Sequence, residues 1–350
     1  MHRLGKGIEP FEWDCFIIAE IGTNFYDVAE HDKISNIEAA EKMILSAKAN
    51  GADAVKFQTY KAERLTSNEE DLKYFKKYDR LSYDDYLFLI DFCKKINMVF
   101  LTTLFDEEGV EALGKQLEAF KIASPDITYE QLIRKVSRYV DKPVFISTGA
   151  STVEEIERAV GWMLSESNHK TILMHCVASY PTLRWNTNLR FIDALHKNFP
   201  LYAVGYSDHC KFNLNVLSSA YMMGAKVIEK HFTFESCRWK MGDHNHSMFP
   251  EELKNLREHF SDLERMIGYN SLTDRNLECE KDVHDFGRRS IFTKHVLEKG
   301  HKMTYDDMVY LRPGTGIPPF NASKVNNKLL NRKLDKNTKI EYNMFSEETD

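Results

Sequence analysis

A chain of 350 residues is long enough for one large α/β domain and a small appended one. With 43% hydrophobic and 29% charged residues, its composition is typical of a soluble globular protein. The 47 basic and 53 acidic residues give a formal charge of −6, which argues against a broad nucleic-acid-binding surface. Any anionic ligand must therefore be held by local positive charge.

The cysteines and the first residues indicate a cellular compartment. The six cysteines are scattered, with no C-x-x-C pair and no framework spacing, so we expect reduced thiols. The first fifteen residues contain three acids and a proline before any apolar run, unlike a signal peptide. No apolar stretch approaches the length of a transmembrane helix. These features predict a cytoplasmic protein with no membrane partner.

Short apolar runs rich in β-branched residues alternate with amphipathic segments of helical length. This alternation is typical of a parallel sheet covered by helices. The predicted strands are 16–21, 54–58, 99–104, 119–123, 144–147, 172–176, 202–207 and 227–231. The predicted helices are 37–50, 83–95, 107–115, 129–139, 153–164, 189–198, 213–223 and 250–267.

Eight βα units in about 250 residues have the size and rhythm of a TIM (β/α)8 barrel. The structural alternative is a doubly wound open sheet. A dinucleotide-binding sheet of that kind would carry G-x-G-x-x-G after its first strand, and this chain does not. We therefore predict an α/β fold with a TIM barrel over residues 1–270.

The C-terminal part of the chain has a different character. A stretch dense in charge and poor in apolar residues follows the last helix. Beyond it lie short strand-like pieces, turn signals at 299–300 and 313–314, and a capping pattern over 304–307. We predict a linker over 271–284 and a small β-rich domain over 285–350.

Two short apolar strands each end in a histidine, His209 in AVGYSDH and His231 in AKVIEKHFT. One helix-length segment separates them, so they form a βαβ unit whose parallel strands usually neighbour each other. Both imidazoles would then emerge at the same end of the sheet, where they could hold a metal ion. The alternative is that each is a hydrogen-bonded histidine at a strand end.

Two lysines occupy equivalent strand ends. In the second strand, Lys56 and Gln58 alternate with apolar residues that would face the helices, so both would point into the barrel. Lys121 ends the fourth strand in the same way. Because a lysine inside a barrel is costly unless it meets an anion, the pair favours a phosphate or carboxylate site. Singly, each could instead reach outward along its aliphatic stem.

Hydroxyls and acids also accumulate at the strand ends, where the active sites of barrels lie. The hydroxyls suit phosphate binding, although each alone could be a helix cap or turn residue. Glu20 could contact a substrate or act as a cap or ion-pair partner, while Asp243 and His244 could be solvent-exposed loop residues. The hydroxyls are those of Thr103, Ser124, Ser147 and Ser207.

Taken in order, these segments resemble the signature elements of the sialic acid synthase (N-acetylneuraminate synthase) family across nearly the whole chain. The C-terminal RRSIF and GTGIPP segments resemble its antifreeze-like domain, also called the SAF domain, which has a β-clip fold. The matching barrel segments are IIAEIGTN (17–24), GADAVKFQTYKAERL (51–65), TTLFDEE (102–108), KIASPDI (121–127), PVFISTGAST (143–152), HCVASYPT (175–182), GYSDH (205–209) and VIEKHFT (227–233).

The resemblance implies a transferase that condenses phosphoenolpyruvate with the open-chain aldehyde of an N-acylated hexosamine. The acceptor would be N-acetylmannosamine or a related 6-deoxy-diacetamido sugar, and N-acetylmannosamine 6-phosphate also remains open. The products would be a nine-carbon 2-keto (nonulosonic) acid and phosphate, released by C–O cleavage. His209 and His231 would bind a divalent metal that polarises the aldehyde. Mn²⁺ suits two histidines and oxygen ligands best, with Mg²⁺, Co²⁺ or Zn²⁺ as alternatives.

The resemblance also implies residue roles by position. Asp126 matches an acidic position that handles the attacking water or the leaving phosphate. Arg312 matches an arginine that reaches the N-acyl group across a domain-swapped homodimer. The expected catalytic residues are Glu20, Lys56, Asp126, His209 and His231. The expected phosphoenolpyruvate-binding residues are Lys56, Thr103, Lys121, Ser124, Ser147 and Ser207. The expected sugar-binding residues are Glu20, Gln58, Tyr180, Asp243 and Arg312.

Two other functions remain open from the sequence. Another phosphoenolpyruvate-dependent synthase could form a shorter keto sugar acid from an aldose phosphate, without a tail that carries Arg312. A catalytically silent sugar-binding homologue could retain the barrel, with Ala178 and Asp126 marking the lost chemistry. Against the silent alternative, both strand-end lysines, both strand-end histidines and Asp243 are present together.

Overall fold

The computed structural model describes residues 15–238, 240, 242–268 and 278–346. The first fourteen residues and the predicted linker as far as residue 277 lie outside this part of the chain. The chain divides into two compact units, Met1–Ile267 and Gly268–Asp350.

Eight parallel strands in chain order close into a barrel, with the last strand paired to the first. The TIM barrel is thereby confirmed over the doubly wound sheet. Every predicted strand is present, and each end lies within one residue of its predicted position. The strands are β1 (Phe16–Gly22), β2 (Ala54–Thr59), β3 (Val99–Leu104), β4 (Phe120–Ile122), β5 (Val144–Ser147), β6 (Thr171–Cys176), β7 (Ala203–Asp208) and β8 (Val227–His231).

Helices surround the barrel, and all eight predicted ones are present. Three others are not predicted: α1 after β1, and α3 and α4 after β2. A 3-10 helix, Gly242–His246, follows β8. The helices are α1 (Asn24–Asp32), α2 (Asn36–Ala49), α3 (Ala62–Leu65), α4 (Glu69–Lys77), α5 (Tyr83–Lys95), α6 (Glu107–Leu113), α7 (Glu130–Ser137), α8 (Val153–Ser165), α9 (Arg190–Asn198), α10 (Leu214–Met222) and α11 (Pro250–Ile267).

Side-chain alternation along the strands separates two layers of core. Outward residues such as Val55 and Phe57 pack with the helices in one large apolar cluster. Inward residues such as Ile18, Leu101 and Phe145 form a second cluster toward the N-terminal ends of the strands. The inward polar residues are therefore confined to the C-terminal ends.

The strand register sets the height of those polar residues. Glu20 on β1 pairs with Lys56 on β2 and with His231 on β8. Thr103 on β3 pairs with Lys121 on β4. Because paired residues lie side by side, Glu20, Lys56 and His231 share one level of the barrel. Thr103 and Lys121 share the level of Gln58, the next inward residue of β2.

The second unit contains an antiparallel pair, β9 (Ser290–Thr293) and β10 (Met308–Leu311), packed on a small apolar core. Thr304 and Asp307 form the predicted capping box. The Asp307 carboxylate also contacts His295 at 2.9 Å. A small β unit is thus confirmed, whereas its assignment as an SAF domain stays a prediction.

The described residues contain neither a disulfide nor a membrane-spanning helix. All six cysteines are free. In the described part of the chain, no helix combines the length and the apolar character needed to cross a bilayer.

Candidate active site

A cavity of about 590 Å³ opens at the C-terminal ends of the barrel strands. Inward polar residues of the strands form its floor, and the segments that follow β2, β4, β6 and β8 contribute to its rim. Arg312 lies in the second unit, so its predicted role stays a prediction. The predicted site residues that line the cavity are Glu20, Lys56, Gln58, Thr103, Lys121, Ser124, Asp126, Ser147, Tyr180, Ser207, His209, His231 and Asp243.

Two buried lysines and two buried acids form one part of the floor, which we call the lysine corner. Lys56 Nζ lies 2.7 Å from Glu20 Oε2 and 3.7 Å from Glu229 Oε1. Lys121 Nζ lies 3.8 Å from the same Glu229 oxygen. The lysine corner consists of Glu20, Lys56, Lys121 and Glu229, all at most 4% exposed.

Hydroxyl groups hold these charged side chains in place. The Lys56 ammonium donates a hydrogen bond of 3.1 Å to Thr103, and Lys121 donates one of 2.7 Å to Ser147. The Ser207 hydroxyl donates to the acid that the two lysines share, at 2.9 Å. Both lysines and three of the four hydroxyls that are predicted to bind an anion therefore lie together, whereas the Ser124 hydroxyl contacts Cys176 Sγ at 3.1 Å.

Opposite charges set the protonation of Lys56 and Glu229, whereas burial dominates for Glu20, whose pKa is raised, and for Lys121, whose pKa is lowered. Burial acts to raise the pKa of Glu229, but Lys121 and Lys56 outweigh it, and the pKa is lowered. Burial acts to lower the pKa of Lys56, but Glu20 and Glu229 outweigh it, and the pKa is raised. Lys56 and Glu229 are therefore both charged at neutral pH.

The sequence prediction omits Glu229, although a signal for it exists. In VIEKH, Glu229 precedes His231 by two residues, and alternation points both side chains into the barrel. The inward direction of this acid therefore follows from the same alternation argument that identifies Lys56.

His209 and His231 form another part of the floor, with ring centres 5.8 Å apart. They lie on neighbouring parallel strands, as the βαβ prediction requires. His209 Nδ1 bonds to the Val177 carbonyl at 2.8 Å, which fixes the tautomer and leaves Nε2 as the acceptor. His231 Nδ1 has no hydrogen-bond partner among the described residues. The alternative was that both strand-end histidines are hydrogen-bonded. Among the described residues, such a bond is found at Nδ1 of His209 and not at Nδ1 of His231.

Burial keeps both imidazoles neutral, which is the form that binds a metal. It lowers the pKa of His209 to about 4. Burial, with the neighbouring His246 and His209, lowers the pKa of His231 well below its usual value. A carboxylate oxygen of Asp243 lies 3.6 Å from His231 Nδ1. Two neutral imidazoles beside a carboxylate fit a divalent cation.

A third imidazole, that of His246, lies against this pair. Its ring centre is 4.7 Å from that of His231 and 6.1 Å from that of His209. The sequence prediction does not include His246, because it lies in the irregular Gly242–His246 segment, where no strand period gives a side-chain direction. We call His209, His231 and His246 the histidine corner.

The neighbouring His244 points away from the cavity. Its Nδ1 lies 2.7 Å from Thr233 Oγ1, and its Nε2 lies 3.3 Å from Asp27 Oδ2. Tyr78 donates a hydrogen bond of 3.3 Å to the same Asp27 oxygen. The solvent-exposed alternative is therefore wrong for His244, since its imidazole is buried and links this loop to the barrel.

Four of the five predicted sugar-binding residues, all except Arg312, line the cavity. Gln58 Nε2 donates a hydrogen bond of 3.0 Å to Glu20 Oε1. The Tyr180 ring lies 4.3 Å from the His209 ring and is 55% exposed. At the rim, burial raises the pKa of Asp126 to about 6, against the lowering effect of Lys121.

Aromatic side chains form one wall of the rim. Tyr60 packs edge-on against Phe75, at 5.6 Å, and against Phe105, at 5.7 Å. Tyr74 and Tyr78 also line the cavity. Part of this wall belongs to α4, which is not predicted because it is a short, mostly charged segment, EEDLKYFKK, that buries none of its residues.

The fold and the cavity define a class of protein, a (β/α)8 barrel with a charged ligand site at the C-terminal ends of its strands. Comparison with known proteins narrows this class. The sequence profile of the NeuB family matches residues 43–271. The chain belongs to the NeuB family.

Individual relatives cover almost the whole chain. A protein of Methanocaldococcus jannaschii is 37% identical over 341 residues, 97% of this chain and 94% of that protein. The N,N'-diacetyllegionaminic acid synthase of Legionella pneumophila is 32% identical over 360 residues, 97% of each chain. The crystal structure of N-acetylneuraminic acid synthetase from Leptospira borgpetersenii matches with a TM-score of 0.69 at 31% identity, over 76% of this chain and 90% of that one. The resemblance to sialic acid synthases is confirmed, and the protein is an enzyme of the nonulosonic acid synthase class.

Proposed function

We propose that this enzyme condenses phosphoenolpyruvate with a neutral N-acylated hexosamine, either N-acetylmannosamine or a related 6-deoxy-diacetamido sugar, with the help of a divalent metal ion. The observation that carries the proposal is one cavity that contains both the lysine corner and two neutral histidines. Adjacent sites for an anion and a cation suit a reaction between a phosphate-bearing enol and an aldehyde.

The proposed reaction balances with one water molecule. C3 of phosphoenolpyruvate bonds to the aldehyde carbon, and water adds to C2. The bond between C2 and the phosphate oxygen then breaks, and the water oxygen becomes the keto oxygen. One water proton reaches the new sugar hydroxyl and the other leaves with the phosphate.

The lysine corner would bind phosphoenolpyruvate. Lys56 and Lys121 would face its negative groups, with Ser147 and the other predicted hydroxyls as further donors. Asp126 lies at the same rim, and its pKa of about 6 suits a group that exchanges protons near neutrality. We propose that Asp126 handles the attacking water or the leaving phosphate.

His209 and His231 would hold the metal ion. When bound, the ion would polarise the aldehyde as a Lewis acid. Two imidazoles with oxygen ligands alone would suit Mn²⁺, with Mg²⁺ or Co²⁺ as alternatives. Glu20 and Gln58 would orient sugar hydroxyls, because their mutual hydrogen bond leaves polar atoms of both at the cavity.

The rim supports an acceptor without a phosphate. Among the described residues that line the cavity, the lysines and arginines are Lys56 and Lys121 alone, and both lie beside Glu229. The wall near α4 is aromatic and includes the acidic Asp71. The described residues that line this wall offer no ammonium or guanidinium to a sugar 6-phosphate, whereas a neutral sugar ring could pack against their aromatic groups.

The remaining expectations are also proposals. A barrel over 1–270, a linker over 271–284 and an SAF domain over 285–350 are supported by the order of matching segments. The partner's Arg312 would reach the N-acyl group in a domain-swapped homodimer. A cytoplasmic location is supported by the six free thiols.

The proposal can be tested with phosphoenolpyruvate that carries oxygen-18 in its bridging C–O–P position. We would measure phosphate release with Mn²⁺ against N-acetylmannosamine, its 6-phosphate and 6-deoxy-diacetamido hexosamines, before and after chelation. We expect release only with a neutral acceptor and a metal, with the label in the phosphate because the C–O bond breaks. Mass spectrometry would identify the nine-carbon acid.

Matched histidine variants complete the test. His209→Gln should abolish metal-dependent release, whereas His196→Gln should not, because His196 lies on α9 and contacts the Gly224 carbonyl. Phosphoenolpyruvate binding without release across the whole panel would favour the silent homologue. Release with the 6-phosphate alone would refute the neutral acceptor.

A further inference from the structure

We propose that His246 is a third imidazole ligand of the divalent ion, beside His209 and His231, and that Asp243 supplies a carboxylate oxygen. This inference rests on the metal dependence in the proposed function. It goes beyond the pair of histidines that the resemblance implies, and it makes the site richer in nitrogen.

The side chains converge on one another. One ring nitrogen of His231, one of His246 and one carboxylate oxygen of Asp243 all lie within 4.8 Å of each other. The three ring centres of the histidine corner are 4.7, 5.8 and 6.1 Å apart. Imidazoles bound to one ion at about 2.1 Å have ring centres roughly 4.5–5.5 Å apart. His209 is not part of this group of three, so its ring would have to move toward the other two for all three imidazoles to bind one ion.

His246 lacks the hydrogen bonds that other buried histidines make. Its side chain is 1% exposed, yet neither ring nitrogen has a partner within the described ranges. By contrast, His175 Nε2 meets the Thr187 carbonyl at 2.8 Å, and both nitrogens of His244 have partners. Buried polar atoms are nearly always satisfied, so two unsatisfied nitrogens on one ring need a physical reason. A bound ligand supplies that reason.

The surroundings of His246 favour a cation over an anion. Asp243 Oδ1 lies 4.0 Å from His246 Nε2 and carries the negative charge of the cluster. The buried Lys230 ammonium, which also acts on His246, is paired with Asp208 at 2.7 Å. An anion would be repelled by Asp243, whereas a divalent cation would be attracted by it and could be bound by the lone pairs of the imidazoles.

A third imidazole changes the expected metal. Mn²⁺ is the weakest binder of the divalent first-row series at nitrogen-rich sites, and Co²⁺ and Zn²⁺ bind such sites more tightly. With three histidines and one carboxylate, we expect this enzyme to prefer Co²⁺ or Zn²⁺ to Mn²⁺. A site with only two histidines would show a smaller difference in affinity between these metals.

The test is a titration of the metal-free full chain with Co²⁺, followed by visible absorption and by competition with a chelator. We expect one equivalent to bind to the wild-type protein. His246→Gln should raise the Kd by about 100-fold, the upper end of the loss when even an outer partner of a metal ligand is removed. It should also change the cobalt spectrum. His196→Gln should change neither quantity.

Pulsed EPR of the Cu²⁺-loaded wild-type protein counts the bound imidazoles without any substitution, so the inference does not depend on a variant that folds. Three imidazoles support it. Two imidazoles, or an equal Kd and spectrum for wild type and His246→Gln, overturn it. Failure of the wild type to bind Co²⁺ or Cu²⁺ overturns both this inference and the metal dependence. Tight binding through three imidazoles without condensation would refute the proposed function and leave His246 as a ligand.

Discussion

The lysine corner and the histidine corner share one cavity floor but accommodate buried polar groups in opposite ways. In the lysine corner, ammonium and carboxylate groups lie side by side, and each lysine also donates to a hydroxyl. In the histidine corner, His231 Nδ1 and both nitrogens of His246 find no partner in the part of the chain that is described. Apart from Glu229 Oε2, which also has no hydrogen-bond partner there, the charges of the lysine corner are paired without a ligand, whereas the histidine corner leaves three nitrogens available for one.

This difference indicates how each ligand would bind. An anion that enters the lysine corner must compete with Glu229 for both ammonium groups, so its binding exchanges one set of ion pairs for another. A cation that enters the histidine corner adds bonds without breaking any. We therefore expect a metal to stabilise the folded protein strongly and phosphoenolpyruvate to do so weakly.

The largest expected effect on the free energy of unfolding comes from removing one charge of the lysine corner. Lys56→Met should lower the free energy of unfolding by about 3–5 kcal/mol, because Glu20 and Glu229 lose the ammonium that they share. His209→Gln should cost far less in metal-free protein, since an amide can replace the imidazole hydrogen bond to Val177. Urea unfolding at neutral pH with a chelator measures both values.

An exposed lysine provides the control for this comparison. Lys42 on α2 pairs with Asp32 at 2.6 Å and is 55% exposed. Lys42→Met should change the free energy of unfolding by about 1 kcal/mol at most, as is usual for a surface ion pair. Similar losses for Lys56→Met and His209→Gln would show that the two corners do not differ in the way we infer.

The two corners also differ in how far the sequence could predict them. Strand alternation gives a direction to every side chain, which is why Lys56 and Lys121 were predicted to point inward and do so. His209 and His231 were placed together by the βαβ argument, and they are neighbours. The same alternation argument also predicts that Glu229 points into the barrel.

His246 could not be found in this way. It follows a glycine-bounded turn in a 3-10 segment, and only packing against the finished barrel decides where its ring lies. The same holds for α3 and α4, whose residues gain their positions from the cavity rim rather than from an apolar period. The strands were predicted to within one residue because uninterrupted apolar runs with polar ends define them.

Asp126 provides a second test of how pairing stabilises buried charge, since it lies beside the lysine corner but forms no ion pair with it. Burial raises its pKa to about 6, and its Oδ2 has no hydrogen-bond partner among the described residues. A carboxyl group with a raised pKa binds its proton more tightly in the folded state. Stability should therefore fall as the pH rises from about 4 to 6 and stay level above.

Asp126→Asn should remove that fall. The variant should exceed the wild type by about 2 kcal/mol above pH 6, and the difference should vanish near pH 4. Urea unfolding at a series of pH values measures the gap, with the exposed Asp141→Asn as the control. A gap independent of pH would mean that the Asp126 carboxylate is already compensated, as Glu229 is.

The smallest change in the free energy of unfolding is expected at Ser147, because Lys121 keeps a second partner when this hydroxyl is removed. Ser147→Ala removes the hydroxyl that accepts from Lys121 at 2.7 Å, but Glu229 still lies 3.8 Å from the same ammonium. We expect a loss of only about 1 kcal/mol in the free energy of unfolding. Ser151→Ala, which loses a hydroxyl bonded only to the Gly149 carbonyl, is the control and should change less.

The same variant also reports on ligand binding. If Lys121 binds phosphoenolpyruvate together with Ser147, the KM for phosphoenolpyruvate should rise about 5- to 10-fold, the equivalent of one hydrogen bond. The KM for the sugar should not change. A rise in the KM for the sugar instead would indicate that phosphoenolpyruvate does not bind at Lys121. The ion pairs of the lysine corner would then stabilise the fold and would not form part of the binding site.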